Sequence, residues 1–159
     1  SALRRVVVVS SDAHKLARDK KRVGELVGRW SVDNYFPLLA YAESKLANVL
    51  FARELQRRHG DRLVAVSLHP GVVPGTGLAR RGAAEPPRSS PAPAAPPQKS
   101  VAQGAATIVF CALAPADDEA LAPGAYHADR APAPSSKLGR ADALAQRLWE
   151  SSARACGLA

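Results

Sequence analysis

The sequence predicts an α/β fold built on a parallel sheet. Two observations carry that expectation. Arg4-Arg-Val-Val-Val-Val-Ser10 and Leu63-Val-Ala-Val-Ser-Leu-His69 are short, β-branched apolar runs without polar alternation, the pattern of strands covered on both faces. Between them lies a long stretch of helical periodicity, and strand, connection, helix, strand is the order of a right-handed parallel crossover.

Each element has its own signals. Ser10, Ser11 and Asp12 stop the first strand, and residues 12–36 are polar and mixed, a long loop with room for one short helix. Pro37 suits a first helical turn, where its missing N–H is not needed. From Leu38 to about Arg58 the chain reads as helix. Leu46, Val49, Leu50 and Phe51 form its wide apolar face, and Ala42, Ala47 and Ala52 allow close packing. Arg57, Arg58 and His59 complement the negative end of the helix dipole, and Gly60 is a stop signal. Pro70-Gly71 ends the second strand.

Beyond that point the pattern breaks. Six of the thirteen prolines fall between Pro86 and Pro97. The stretch 79–98 cannot bury enough apolar surface to order itself, so it reads as a flexible insertion. A helix resumes from Ser100 to about Ala114: Ser100 and Gln103 have capping-box spacing, and Val101, Ala105, Ile108, Val109 and Ala112 form an apolar stripe. Gly124-Ala-Tyr-His127 reads as a last short strand. A final helix runs from about Arg140 to Cys156, with Leu144, Leu148 and Trp149 on one side.

Composition limits the function classes. The 159 residues suit one domain, and 47% of them are apolar, enough for a core. No run of about 18 apolar residues is present to span a membrane. The chain opens on Ser1 without a charged-then-apolar leader, as a fragment or processed chain would. Its net charge of +8 raises nucleic acid or an anionic membrane surface as a partner. The densest cluster, Lys15, Arg18, Lys20, Lys21 and Arg22, has no interleaved aromatics to stack on bases, so it reads as a solvated basic loop and no nucleic-acid partner is predicted. Cys111 and Cys156 are read as free thiols of an intracellular protein, cytoplasmic or associated with an organelle membrane. His14, His59, His69 and His127 have no zinc-ligand spacing, and no metal is predicted.

Tyr41 and Lys45 carry the chemistry. Four residues apart on a helix, they share a face. A free tyrosine titrates near 10 and is a poor base at neutral pH, whereas a neighbouring ammonium favours the phenolate. Such a pair can exchange a proton with an alcohol or carbonyl. The spacing alone also fits an exposed helical pair. The order of three elements decides between them: a strand ending in Ser10-Ser11, a helix with Tyr-x-x-x-Lys, and a strand ending in Pro70-Gly71. In an open α/β sheet both strand ends lie on the ligand-binding rim.

The residues Val6-Val-Val-Val-Ser-Ser-Asp-Ala-His14, Ala40-Tyr-Ala-Glu-Ser-Lys-Leu-Ala-Asn-Val-Leu-Phe-Ala-Arg-Glu-Leu55 and Leu68-His-Pro-Gly-Val-Val73 resemble the retinol-dehydrogenase-like branch of the short-chain dehydrogenase/reductase family, the branch that includes WW-domain-containing oxidoreductases. Gln103-Gly-Ala-Ala-Thr107 and Arg147-Leu-Trp-Glu150 fit it as well. The resemblance covers nearly the whole chain except 79–98. It implies the C-terminal portion of a Rossmann-type doubly wound parallel sheet, with residues 1–159 the catalytic part and the dinucleotide-binding part not included. It also implies hydride transfer between NADP or NAD, with NADP favoured, and a small-molecule carbonyl or alcohol, retinoids, steroids and other lipophilic carbonyls foremost. By the same resemblance Ser11 holds the substrate oxygen, Tyr41 is the general acid/base, and Lys45 tunes Tyr41 and binds the nicotinamide ribose. Pro70, Gly71, Val73 and Thr76 line the nicotinamide side.

Three departures from the family pattern stand out. No glycine-rich turn for a pyrophosphate is present. The threonine expected five residues after Pro70 is replaced by Gly75, with Thr76 one position later. The stretch 79–98, where the family forms a helical cover over the substrate, is rich in proline. The alternative is therefore a truncated, catalytically inactive member that acts through protein interaction. A homodimer through the Tyr41 helix is an open expectation, because core packing explains the same apolar face. A half-sheet would also expose an edge, which predicts marginal solubility of the isolated chain.

Overall fold

The computed structural model describes residues 4–18, 23–24, 31, 33, 35–74, 97–115 and 117–158. Strand β1 (Arg4–Val9) pairs in parallel with β2 (Leu63–Leu68), in register from Arg4 opposite Leu63 to Val9 opposite Leu68. On the other side of β2 lies β3 (Tyr126–Ala128), also parallel, with Ser67 opposite Tyr126. A short strand β4 (Ala131–Pro132) returns antiparallel to β3. Asp129 and Arg130 make that hairpin with φ of 51° and 64°, the left-handed conformation that tight hairpins require. The described strand order is β1-β2-β3-β4, a mostly parallel sheet.

Alternation along β2 separates two packed layers. Val64, Val66 and Leu68 face helix α2 (Val101–Leu113) and form a cluster with Cys111 and Leu121. The opposite face is covered by helix α1 (Pro37–His59), which contributes Ala42, Leu46, Ala47 and Leu50 to a second cluster. Leu144, Ala145 and Leu148 of helix α3 (Asp142–Ala155) complete that second cluster. The architecture is therefore helix, sheet, helix, the arrangement expected of a partial Rossmann fold.

Most of the local signals act as expected. Pro37 occupies the first turn of α1, and Arg57, Arg58 and His59 lie in its last. Ser100 and Gln103 form both halves of the capping box on α2, at 3.2 Å and 2.8 Å. Among the described residues of 12–36, Asp12–Leu16 forms a short 3-10 turn and residues 23–24 are helical.

Three packing expectations need correction. The β1 valines are not covered on both faces: Val6, Val7 and Val8 are half-buried, and Val9 is 40% exposed. The reason is position, since β1 is the edge of the described sheet while β2 lies inside it. The apolar stripe assigned to α2 holds only in part: Ile108 packs against the core and Ala105 is half-buried, but the rest of the stripe is exposed. Val101 and Val109 are exposed, and the helix buries Gly104, Thr107 and Cys111. Close approach at Gly104 sets this rotation: a Cβ there would lie 2.5 Å from Val73 Cγ2. Finally, Phe51 is not in the core. It is exposed on α1 and stacks on Trp149 of α3, with centroids 5.7 Å apart and planes within 10°. Arg58 lies over the same indole at 5.1 Å.

Candidate active site

The parallel pairing of β1 and β2 puts their carboxyl ends side by side. Ser10 N–H donates to Leu68 O at 2.7 Å, one step beyond the last paired residues. Helix α1 is fastened to this rim by three hydrogen bonds. Ser10 Oγ donates to the Lys45 carbonyl at 2.7 Å. Lys45 Nζ donates to Val9 O at 3.3 Å, and Asn48 Nδ2 donates to the same oxygen at 3.1 Å. Among the described residues no strand pairs with β1 on this side, and these donors satisfy the Val9 carbonyl.

The structure brings Lys45 directly to the β1 end, and Tyr41 to it only through Lys45, whose ammonium lies 5.6 Å from the Tyr41 ring centroid. Both side chains are half-buried. Ser11 follows β1 and caps the Asp12–Leu16 turn: its Oγ accepts from Ala13 N–H at 3.2 Å. The hydroxyl proton is not used in that bond and can still be donated.

The second strand end carries the other group of residues. Gly71 has φ of 83°, a conformation that favours glycine, and its amide donates to His69 Nδ1 at 3.1 Å. Val73 packs on Gly104 of α2, and Pro70 O lies 3.5 Å from where a Gly104 Cβ would stand. Lys99 N–H donates to Val72 O at 2.8 Å, and Val72 bridges Gln98, the last residue of the proline-rich stretch. Lys99 Nζ pairs with Asp129. Thr76 and residues 79–96 lie outside the described residues.

Sequence reasoning missed several groups at this rim. Ser10 rather than Ser11 ties the strand to α1, and Asn48, three residues after Lys45 on the same helix face, was legible from spacing alone. His14 and Tyr126 were not, whereas His69 is placed on the rim with Pro70-Gly71 by the strand-end rule. His14 is fully buried, with Nδ1 2.8 Å from Ser11 O and Nε2 accepting from Ser136 N–H at 3.0 Å. The backbone bonds fix a neutral tautomer with the proton on Nδ1. Burial holds His14 and His69 below the usual imidazole range and pushes the Tyr126 phenol up. Among the described residues no cluster of His, Cys, Asp or Glu could hold a metal ion, and no helix is long and apolar enough to cross a membrane.

No family model matches the chain. Individual relatives do. The chain is 38% identical over 170 residues to the cattle (Bos taurus) dehydrogenase/reductase SDR family member 13, covering 99% of this chain and 41% of that protein. It is 35% identical over 158 residues to the human (Homo sapiens) WW domain-containing oxidoreductase, covering 97% of this chain and 37% of that protein. The chain belongs to the short-chain dehydrogenase/reductase family. It spans roughly a third to a half of the length of the curated relatives it matches. A solved structure of an uncharacterized protein from Mycobacterium paratuberculosis superposes with a TM-score of 0.64 at 28% identity, over 96% of this chain and 50% of that one. The partial Rossmann sheet is thus a dehydrogenase/reductase fold, and the family's reactions use NAD(P).

Proposed function

We propose that this dehydrogenase/reductase segment carries the proton-transfer half of an oxidoreductase site, acting on a carbonyl or alcohol with NADP or NAD. The observation that supports it most is the junction of α1 with the β1 end. Three hydrogen bonds hold the Tyr41–Lys45 face against the strand that leads into Ser11. A positioned acid/base contributes roughly 10²–10⁴-fold to a rate, and position is what this junction provides.

In this reading Tyr41 Oη gives a proton to the substrate oxygen in reduction and takes it back in oxidation. Lys45 supplies a fixed positive charge beside the phenol, and Ser11 donates its free hydroxyl proton to the same substrate oxygen. The cofactor, when bound, supplies or accepts the hydride. The residues present fit its nicotinamide and ribose end. Lys45 uses one N–H on Val9 O and has two left for ribose hydroxyls. Gly71 brings bare backbone to the rim beside Pro70 and Val73, and Thr76 follows in the chain. A glycine-rich turn for the pyrophosphate is not in this sequence. The substrate class we favour is lipophilic carbonyls, retinoids and steroids among them.

The test is hydride transfer by the full-length chain, followed by nicotinamide absorbance against a panel of lipophilic aldehydes and ketones. Tyr41→Phe should lower turnover by at least about 10²-fold while leaving the fold intact. Full activity in that variant would remove Tyr41 from the mechanism.

A further inference from the structure

Three rings lie beneath the rim and link its two strand ends. His69 accepts the Gly71 amide on Nδ1, so its neutral ring carries its proton on Nε2. The His69 ring stacks on Tyr126, with centroids 5.7 Å apart and planes within 6°. Tyr126 in turn meets His14 edge-on at 4.7 Å and 61°. His14 is held by Ser11 O on one side and Ser136 N–H on the other. Behind the ring, His69 N–H donates to His127 O at 3.1 Å, which anchors the residue's backbone to β3.

We propose that His69 is a positioning residue for the Pro70-Gly71 turn: its Nδ1 holds the Gly71 amide, and the Tyr126–His14 stack fixes its ring against the segment that carries Ser11. The role of that turn at a nicotinamide rests on the oxidoreductase reading above; the geometry does not. A glycine loses more backbone freedom on ordering than any other residue, and Gly71 is held at positive φ. The Nδ1 acceptor two residues back does for it what an Asx side chain does in a turn. The turn is then ordered before any ligand arrives, which lowers the cost of binding there.

Protonation of His69 would turn Nδ1 into a donor and break the bond to Gly71. The groups that face His69 come from every side. Asp12, Lys15 and His14 lie on the turn after β1, Tyr126 on β3, Asp129 on the β3–β4 hairpin, and Lys99 before α2. Burial dominates and disfavours the charged ring, Lys99 and Lys15 reinforce it, and Asp12 and Asp129 oppose it. Lys99 and Asp129 are themselves paired, so their influences partly cancel.

The experiment is NMR on the isotope-labelled chain, with no cofactor or turnover required. The His69 ring should show the Nε2–H tautomer, and the Gly71 amide signal should follow the His69 titration. In His69→Leu the hydrogen-exchange protection of the Gly71 amide should fall about tenfold, the loss of one hydrogen bond. In His69→Asn it should be retained, because the carboxamide oxygen stands where Nδ1 stood. An Nδ1–H tautomer, a Gly71 amide indifferent to the His69 titration, or unchanged protection in His69→Leu would each overturn the proposal. If His69→Leu does not fold, the tautomer and titration of the unsubstituted chain still decide. Failure here would leave the Tyr41→Phe test standing, and failure of that test would leave this measurement standing.

Discussion

Gly104→Ala pits a local gain against a tertiary cost. Gly104 sits inside α2, where alanine is better than glycine by about 1 kcal/mol. Yet the new Cβ would lie 2.5 Å from Val73 Cγ2, and carbon atoms in contact need about 3.5–4.0 Å. Val73 is β-branched and stiff at χ1, so its methyl cannot swing aside freely. Pro70 O stands 3.5 Å from the same point. The helix and the Pro70–Val73 turn must therefore separate by at least about 1 Å. Overpacking of this size costs typically 1–3 kcal/mol, which leaves a net destabilisation of about 0–2 kcal/mol after the helix gain. Because the turn lines the proposed nicotinamide side, a displacement of about 1 Å should weaken turnover more than stability, by up to about 10²-fold. Urea denaturation measures the first effect, and amide chemical shifts of residues 70–73 report the displacement. A variant more stable than the parent, with those shifts unchanged, would refute the close-packing argument.

Two other outcomes follow from buried polar groups. Tyr126 Oη is buried and has no hydrogen-bond partner among the described residues, so Tyr126→Phe keeps the stack on His69 and removes an unpaired hydroxyl. It should be neutral or stabilising by about 1 kcal/mol in thermal or urea denaturation, and a loss of more than about 1 kcal/mol would reveal a partner for that oxygen. His14 and His127 are fully buried, and burial holds both below the usual imidazole value of 6.5. The unfolded chain then binds more protons than the folded one below that value, so stability should be complete above pH 6.5 and be lost as pH falls through the folded values. The slope is at most about 1.4 kcal/mol per pH unit per histidine, and a denaturation midpoint that does not move between about pH 8 and pH 5 would contradict the burial of these rings.

Much of the fold was legible because its signals are local. The strand runs, Pro37, the Ser100–Gln103 capping box and the Pro70-Gly71 stop each act within a few residues, and each is found where the sequence puts it. The spacing of Tyr41 and Lys45 is equally local, and so is the placement of Asn48 on their face. Periodicity failed where a choice between neighbouring rows of one helix was needed. Of the stripe Val101, Ala105, Ile108, Val109 and Ala112, Ile108 packs against the core, while the neighbouring row Gly104, Thr107 and Cys111 is the one fully buried, and composition does not choose between them. Contact between Gly104 and Val73, more than thirty positions earlier in the chain, makes that choice.

The α/β class, the order of the elements, and the strand ends and helix face that carry Ser11, Tyr41, Lys45 and Pro70-Gly71 are readable from the chain alone. They are readable because strand ends, helix faces and turn residues are written in consecutive or periodic positions. Long-range packing sets the partial cover of β1, the bonds by which Ser10 and Asn48 fasten α1 to the strand end, and the stacking of His14, Tyr126 and His69 beneath the rim. These three rings stand 112, 57 and 55 positions apart along the chain, taken pairwise, from residues 14, 126 and 69. No periodicity links such positions; parallel pairing of β2 with β3 brings them together, because Ser67 and Tyr126 share a register and His69 follows on the same face.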